Sequence, residues 1–141
     1  MAKILHVGGT KKSFPELTPF GHSVDTVQNG LIALSALSLH NYDVVVIEDE
    51  LPLLSPAKLI YEINSLSGRF PIIALIRKDE RRNEILTDFD NDLFGWFEPK
   101  IGTPEQLSSL IDTAYDYHQF LDELPTKLGK KLTFQGCYNI I

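Results

Sequence analysis

A single cysteine, Cys137, is all the thiol this chain carries, so no disulfide can close within it and a reducing, cytoplasmic setting is expected. No apolar run approaches the roughly 20 residues that a membrane span needs. The opening, Met1-Ala2-Lys3-Ile4-Leu5, turns strand-like at once and lacks the apolar stretch of a signal peptide. Cations are outnumbered: 13 Lys and Arg stand against 19 Asp and Glu, a formal charge of −6. A phosphate-binding face needs clustered Lys and Arg, so nucleic acid is not an expected partner. Residues 125–141 carry Lys127, Lys130 and Lys131 with no acid, so the −6 of the whole chain becomes −9 over residues 1–124. His6, His22, His40 and His118 fall at no metal-gathering spacing, and His6 reads as a hydrogen-bonded core histidine. No nucleophile stands with a base and an orienting acid, so neither enzyme activity nor a resident metal or cofactor is expected.

What is present suits one compact domain: 141 residues, 43% of them apolar and 23% charged. Short apolar runs alternate with longer amphipathic stretches, the pattern of a βα repeat. Strands are predicted over Lys3 to Val7, Ser23 to Val27, Asp43 to Ile47, Pro71 to Ile76 and Leu93 to Phe97. The third, Asp43-Val44-Val45-Val46-Ile47, is a continuous β-branched run, as expected of a central strand buried on both faces. Helices are predicted over Leu31 to Leu39, Pro56 to Ile63 and, more weakly, Arg82 to Phe89. Right-handed crossovers then give a doubly wound, five-stranded parallel sheet of order 2-1-3-4-5.

A long last helix starts at Thr103-Pro104-Glu105-Gln106, with Thr as N-cap, Pro at N1 and Gln at N3, and meets no breaker until Pro125. Leu107 and Ile111 are expected on the sheet. Leu110, Ala114, Tyr117, Leu121 and Leu124 recur at 4,3,4,3 spacing, which predicts a dimer seam or signalling helix. The plainer alternative is that these residues cover the domain's own edge.

In this order and spacing the elements resemble the receiver domain of bacterial response regulators, the chemotaxis-regulator type, over residues 3 to about 118. Glu48 ends strand three and Pro52 follows four residues later in Glu48-Asp49-Glu50-Leu51-Pro52, as that family's acceptor Asp and its Pro do. Gln28 to Leu34 resembles its turn and helix start, Pro71 to Ile76 its fourth strand, and Glu98-Pro99 its Lys-Pro after strand five. The resemblance implies a flavodoxin-like, receiver-like fold with an extended C-terminal helix. It also implies a cis bond between Glu98 and Pro99.

The same resemblance shows what is missing. Two acids that hold Mg²⁺ in the family fall on Gly8 and Gly9, and the acceptor Asp falls on Glu48. The hydroxyl residue after strand four falls on Ile76, the strand-five aromatic on Gly95, and the phosphate-pairing Lys on Glu98. The first helix region, Lys11 to Phe20, is about one turn short and interrupted by Pro15 and Pro19. Phosphoryl transfer needs a metal and cations, so a dianion is not expected where Glu48, Asp49, Glu50 and Glu98 gather as an unrelieved acidic cluster. Asp49 becomes the acceptor only by a one-residue slip, which turns every strand side chain over. Glu48 reads either as a solvated loop carboxylate or as a fixed mimic of a phosphorylated Asp, with Lys100, Lys11 or Lys12 as substitute partners.

Gly8-Gly9-Thr10-Lys11-Lys12 lacks the spacing of a phosphate-binding loop and reads as a tight turn. Arg77, Lys78, Arg81 and Arg82 form a basic patch at the mouth of the sheet, diluted by Asp79 and Glu80. It reads as a solvated loop or, alternatively, as a sensor site for a small anion. Residues 125–141 read as a linker. Phe134 to Ile141 resembles the entry to the AAA+ domain of sigma-54-dependent transcription activators, so a longer protein with such a downstream partner is expected. The expectation is a non-phosphorylatable regulatory domain over residues 1–124, working through dimerisation or domain contacts.

Overall fold

Runs of β-branched residues between turn signals become strands, and the two-residue period of a strand then decides what each side chain faces. The computed structural model describes residues 2–8, 14, 17–66, 70–78, 80, 85 and 93–123, with the backbone alone over 121–123. Strands β1 (Lys3–Val7), β2 (Ser23–Val27), β3 (Val44–Glu48), β4 (Ile72–Leu75) and β5 (Gly95–Phe97) form a parallel sheet of order β2-β1-β3-β4-β5. Helices α1 (Gly30–Leu39), α2 (Pro56–Asn64) and α3 (Pro104–Glu123) complete a doubly wound domain.

Each helix start is fixed locally. Asn29 Oδ1 accepts the Ile32 N–H at 2.9 Å, and Ser55 Oγ accepts the Lys58 N–H at 3.2 Å ahead of Pro56. At α3 the caps are reciprocal: Gln106 N–H donates to Thr103 Oγ1 at 3.2 Å and Thr103 N–H to Gln106 Oε1 at 2.9 Å.

The alternation of each strand divides the interior into two layers. Leu5, Val7, Val45, Ile47, Ile72, Ala74 and Ile76 face α1 and α2, where they meet Ala33, Leu37, Leu59, Ile60 and Ile63. Ile4, Val44, Val46, Ile73, Leu75 and Phe97 face the other way, onto Leu107, Ile111 and Ala114 of α3. Between β1 and β2 the described residues hold only a 3₁₀ turn, Thr18–Phe20, closed by Gly21 at φ 87°. Leu17 and Phe14 pack on the α3 layer there.

Two expectations are corrected, and the two readings of the α3 seam are weighed at three of its positions. The Glu98–Pro99 peptide is trans, since no cis bond occurs among the described residues. A trans bond suffices because Glu98 O accepts from both Ile101 N (3.1 Å) and Gly102 N (2.9 Å), which closes the turn after β5. The seam on α3 is largely used internally. Ala114 is fully buried, Tyr117 is buried against Phe94 with ring centroids 5.5 Å apart, and Leu110 lies over Gly95. The start of β3 is also shifted: it begins at Val44, one residue later than predicted, and Glu48 ends it as expected, paired in register with Leu75. The side chain of Leu121, and all of Leu124, the 125–141 linker and the helix expected over Arg82 to Phe89 apart from Ile85, lie outside the described residues. No described helix is long and apolar enough to cross a membrane.

Candidate functional site

The rows that face α3 end in polar residues at the C-terminal edge of the sheet. Ile4 is followed two residues on by His6, Val44 and Val46 by Glu48, and Ile73 and Leu75 by Arg77. Strand register therefore brings together three groups that are far apart in sequence. Glu48 Oε1 accepts from Arg77 Nε at 2.6 Å, and Oε2 accepts from Arg77 Nη2 at 3.0 Å. His6 Nε2 stands 2.8 Å from the same Oε2. With Glu48 ionised, His6 Nε2 donates to it, and His6 Nδ1 stands 3.2 Å from the Thr26 hydroxyl. Phe14 stacks on the imidazole with ring centroids 4.2 Å apart and closes the cluster from outside.

Glu48 is thus a buried carboxylate with both oxygens engaged, neither a solvated loop acid nor part of an unrelieved acidic cluster. Burial alone pushes its carboxyl up. The hydrogen bonds of His6 and Arg77, together with the guanidinium charge, overcome that and hold it below the usual carboxylate value. Glu48 in turn holds the guanidinium proton more tightly than usual, against partial burial. The bidentate fork suits an Arg–carboxylate pair in a partly dry setting.

The neighbouring acids are also engaged. Asp49 is buried just past the end of β3, and its Oδ2 accepts the backbone N–H groups of Arg77 (2.8 Å) and Lys78 (2.9 Å). Its Oδ1 is buried without a hydrogen-bond partner among the described residues. Glu50 Oε2 meets Lys78 Nζ at 3.0 Å near solvent. Two of the four cations expected in a basic patch are therefore spent on the acids of β3 and its following loop. Arg81 and Arg82, like Gly9, Thr10, Lys11 and Lys12, lie outside the described residues.

The other positions singled out in the sequence are accounted for by packing. Ile76 is buried among the α1–α2 layer. Leu110 Cδ1 sits 3.0 Å from where a side chain at Gly95 would begin, so α3 fills that seat. At Gly8 a Cβ would lie 2.9 Å from Glu48 Cγ and 2.9 Å from His6 Cε1, so the closed cluster requires glycine there. Arg77 and His6 as partners of Glu48 were missed in the sequence. The available signal was parity, since each lies two residues beyond an apolar residue of the same sheet face.

No protein-family model matches the chain, and no curated protein matches it. Solved structures do. A response regulator receiver domain from Clostridium thermocellum superposes with a TM-score of 0.68 at 22% identity, covering 86% of this chain and 99% of that one. The chemotaxis response regulator CheY4 of Vibrio cholerae gives 0.68 at 22%, covering 81% and 98%. The receiver domain of sensor histidine kinase PA1611 from Pseudomonas aeruginosa, with a magnesium ion coordinated in its active-site cleft, gives 0.64 at 20%, covering 82% and 98%. These likenesses define the class of fold: a five-stranded, receiver-type doubly wound domain.

A magnesium ion does not fit the described residues of this mouth. Mg²⁺ requires oxygen ligands in near-octahedral array. Gly8 supplies no side-chain oxygen and has no space for one, while a guanidinium and an imidazole already occupy both oxygens of Glu48. No group of three or more His, Cys, Asp or Glu suited to a metal occurs among the described residues.

Proposed function

We propose that this chain is a regulatory pseudo-receiver: a domain of receiver fold that takes up no phosphoryl group and acts through contact with other protein surfaces. The observation that carries the reading is the closed His6–Glu48–Arg77 cluster at the carboxyl end of β3. Acyl-phosphate chemistry at a carboxylate needs an approachable oxygen and a metal to offset the incoming charge. Glu48 has neither, because its fixed neighbours supply the positive charge and fill the space. On this reading the domain belongs to a larger two-component-type regulator. The resemblance of residues 134–141 to the entry of an AAA+ domain makes a sigma-54-dependent transcription activator the kind of protein proposed.

Treatment with acetyl phosphate and Mg²⁺, followed by intact-mass measurement, tests this. The expected result is an unmodified chain, with no Mg²⁺-dependent change on adding beryllofluoride. A phosphoryl adduct mapped to Asp49 would overturn the reading in favour of an atypical acceptor. A nucleotide or phosphate that raises the melting temperature would favour the anion-sensor alternative.

A further inference from the structure

Residues 26–42 contain no Asp, Glu, Lys or Arg, in a chain that is 23% charged. Within them α1 lies on the surface beside the edge strand β2. Its buried side, Ala33 and Leu37, faces the core. Its outward side is made of Leu31, Ile32, Ser35, Ser38 and Leu39, all exposed: 56% for Leu31, 47% for Ile32 and 74% for Leu39. These positions, at i, i+1, i+4, i+7 and i+8, form one continuous helix face. The other described helices differ: α2 presents Lys58 and Glu62, and α3 presents Glu105, Asp112 and Asp116.

We propose that this face of α1 is the contact between two copies of the chain, packed antiparallel about a twofold axis at Ser35. A twofold interface sets each residue near its own copy, so any net charge on it meets the same charge. Two chains of −6 repel through most of their surface. Residues 26–42 bring no such penalty. The order of side chains suits the symmetry as well. About Ser35, Leu31 of one copy faces Leu39 of the other, Ile32 faces Ser38, and Ser35 faces itself. Large residues meet at the two ends, and the small ones let the helix axes approach at the centre. Burying Ser38 costs little, because its hydroxyl already donates to Leu34 O at 3.0 Å. A ten-residue helix covers less than the roughly 800 Å² per partner of a standard interface, so the association is weak and concentration-dependent.

The test is sedimentation velocity on the full chain up to about 1 mM, beside a Leu39→Glu variant. The dimer is expected to grow with concentration in the wild type, and Leu39→Glu to weaken it at least tenfold without changing the thermal melt. In a Cys137→Ser background, Ser35→Cys is expected to form an intermolecular disulfide under mild oxidation, and Thr113→Cys on the exposed side of α3 is not. A chain that stays monomeric at the top concentration, a Leu39→Glu variant that associates as the wild type does, or equal cross-linking at positions 35 and 113 each overturns the proposal. The phosphoryl-uptake assay is separate, so failure here leaves the pseudo-receiver reading standing.

Discussion

The two ends of the sheet each pair histidine with an acid, and the outcomes differ. At the mouth, His6 and Glu48 are both buried, 2.8 Å apart, and Arg77 completes the cluster. At the foot, His22 is fully buried but Asp112, 3.2 Å away, is 58% exposed. Burial pushes the His22 pKa down, and the solvated Asp112 only partly offsets that. His22 is also used as a neutral ring: its Nδ1 accepts the Ala2 N–H at 3.1 Å and its Nε2 lies 3.1 Å from Ser108 Oγ, which ties α3 to the sheet. A histidine–acid pair therefore has no fixed meaning. Whether the acid is dry, and whether a third charge closes the balance, decides which form is favoured.

Arg77→Ala is expected to produce the largest break in this contrast. It strips Glu48 of its permanent counter-charge inside the protein, at a cost of about 3–5 kcal/mol in urea unfolding. Gly8→Ala presses a methyl group into Glu48 and His6 and is expected to cost about 1–3 kcal/mol in the same measurement.

The pH dependence of unfolding sharpens the comparison. Both folded pKa values are lowered, so in each case the unfolded chain binds more protons and stability falls with acid. The His22 contribution is complete above its ordinary value of 6.5 and declines as pH drops below it. The Glu48 contribution is complete above 4.5 and is lost as pH falls through the lower folded value. His22→Gln is expected to flatten the upper limb and Glu48→Gln the lower one, each leaving the other in place. The smallest effect belongs to Lys78→Ala, which removes a half-exposed pair with Glu50 and is expected to cost no more than about 1 kcal/mol.

Much of the scaffold could be read along the chain. β1 and β2 fall where the apolar runs place them, and the Thr103–Gln106 cap starts α3 as expected. Local chemistry specifies those features. The Glu48–Arg77 fork links residues 29 apart in sequence, and the His6 contact links residues 42 apart. Only the register of neighbouring strands brings them together, and register is a tertiary fact. The two readings of the α3 seam could not be separated along the chain for a related reason. A helix covering its own sheet and a helix pairing with another share nearly the same apolar spacing, and the sheet claims Ala114 and Tyr117 here.

The tight fit at Gly8 also bears on how this domain can change over time. Any side chain there collides with His6 and Glu48 unless both have already moved. Placing an acid at that position by one codon change would weaken the fold before it gained a ligand. An ion-holding cleft at this mouth therefore calls for Gly8, His6 and Glu48 to change together, because no one of them can be altered without pressing on the others.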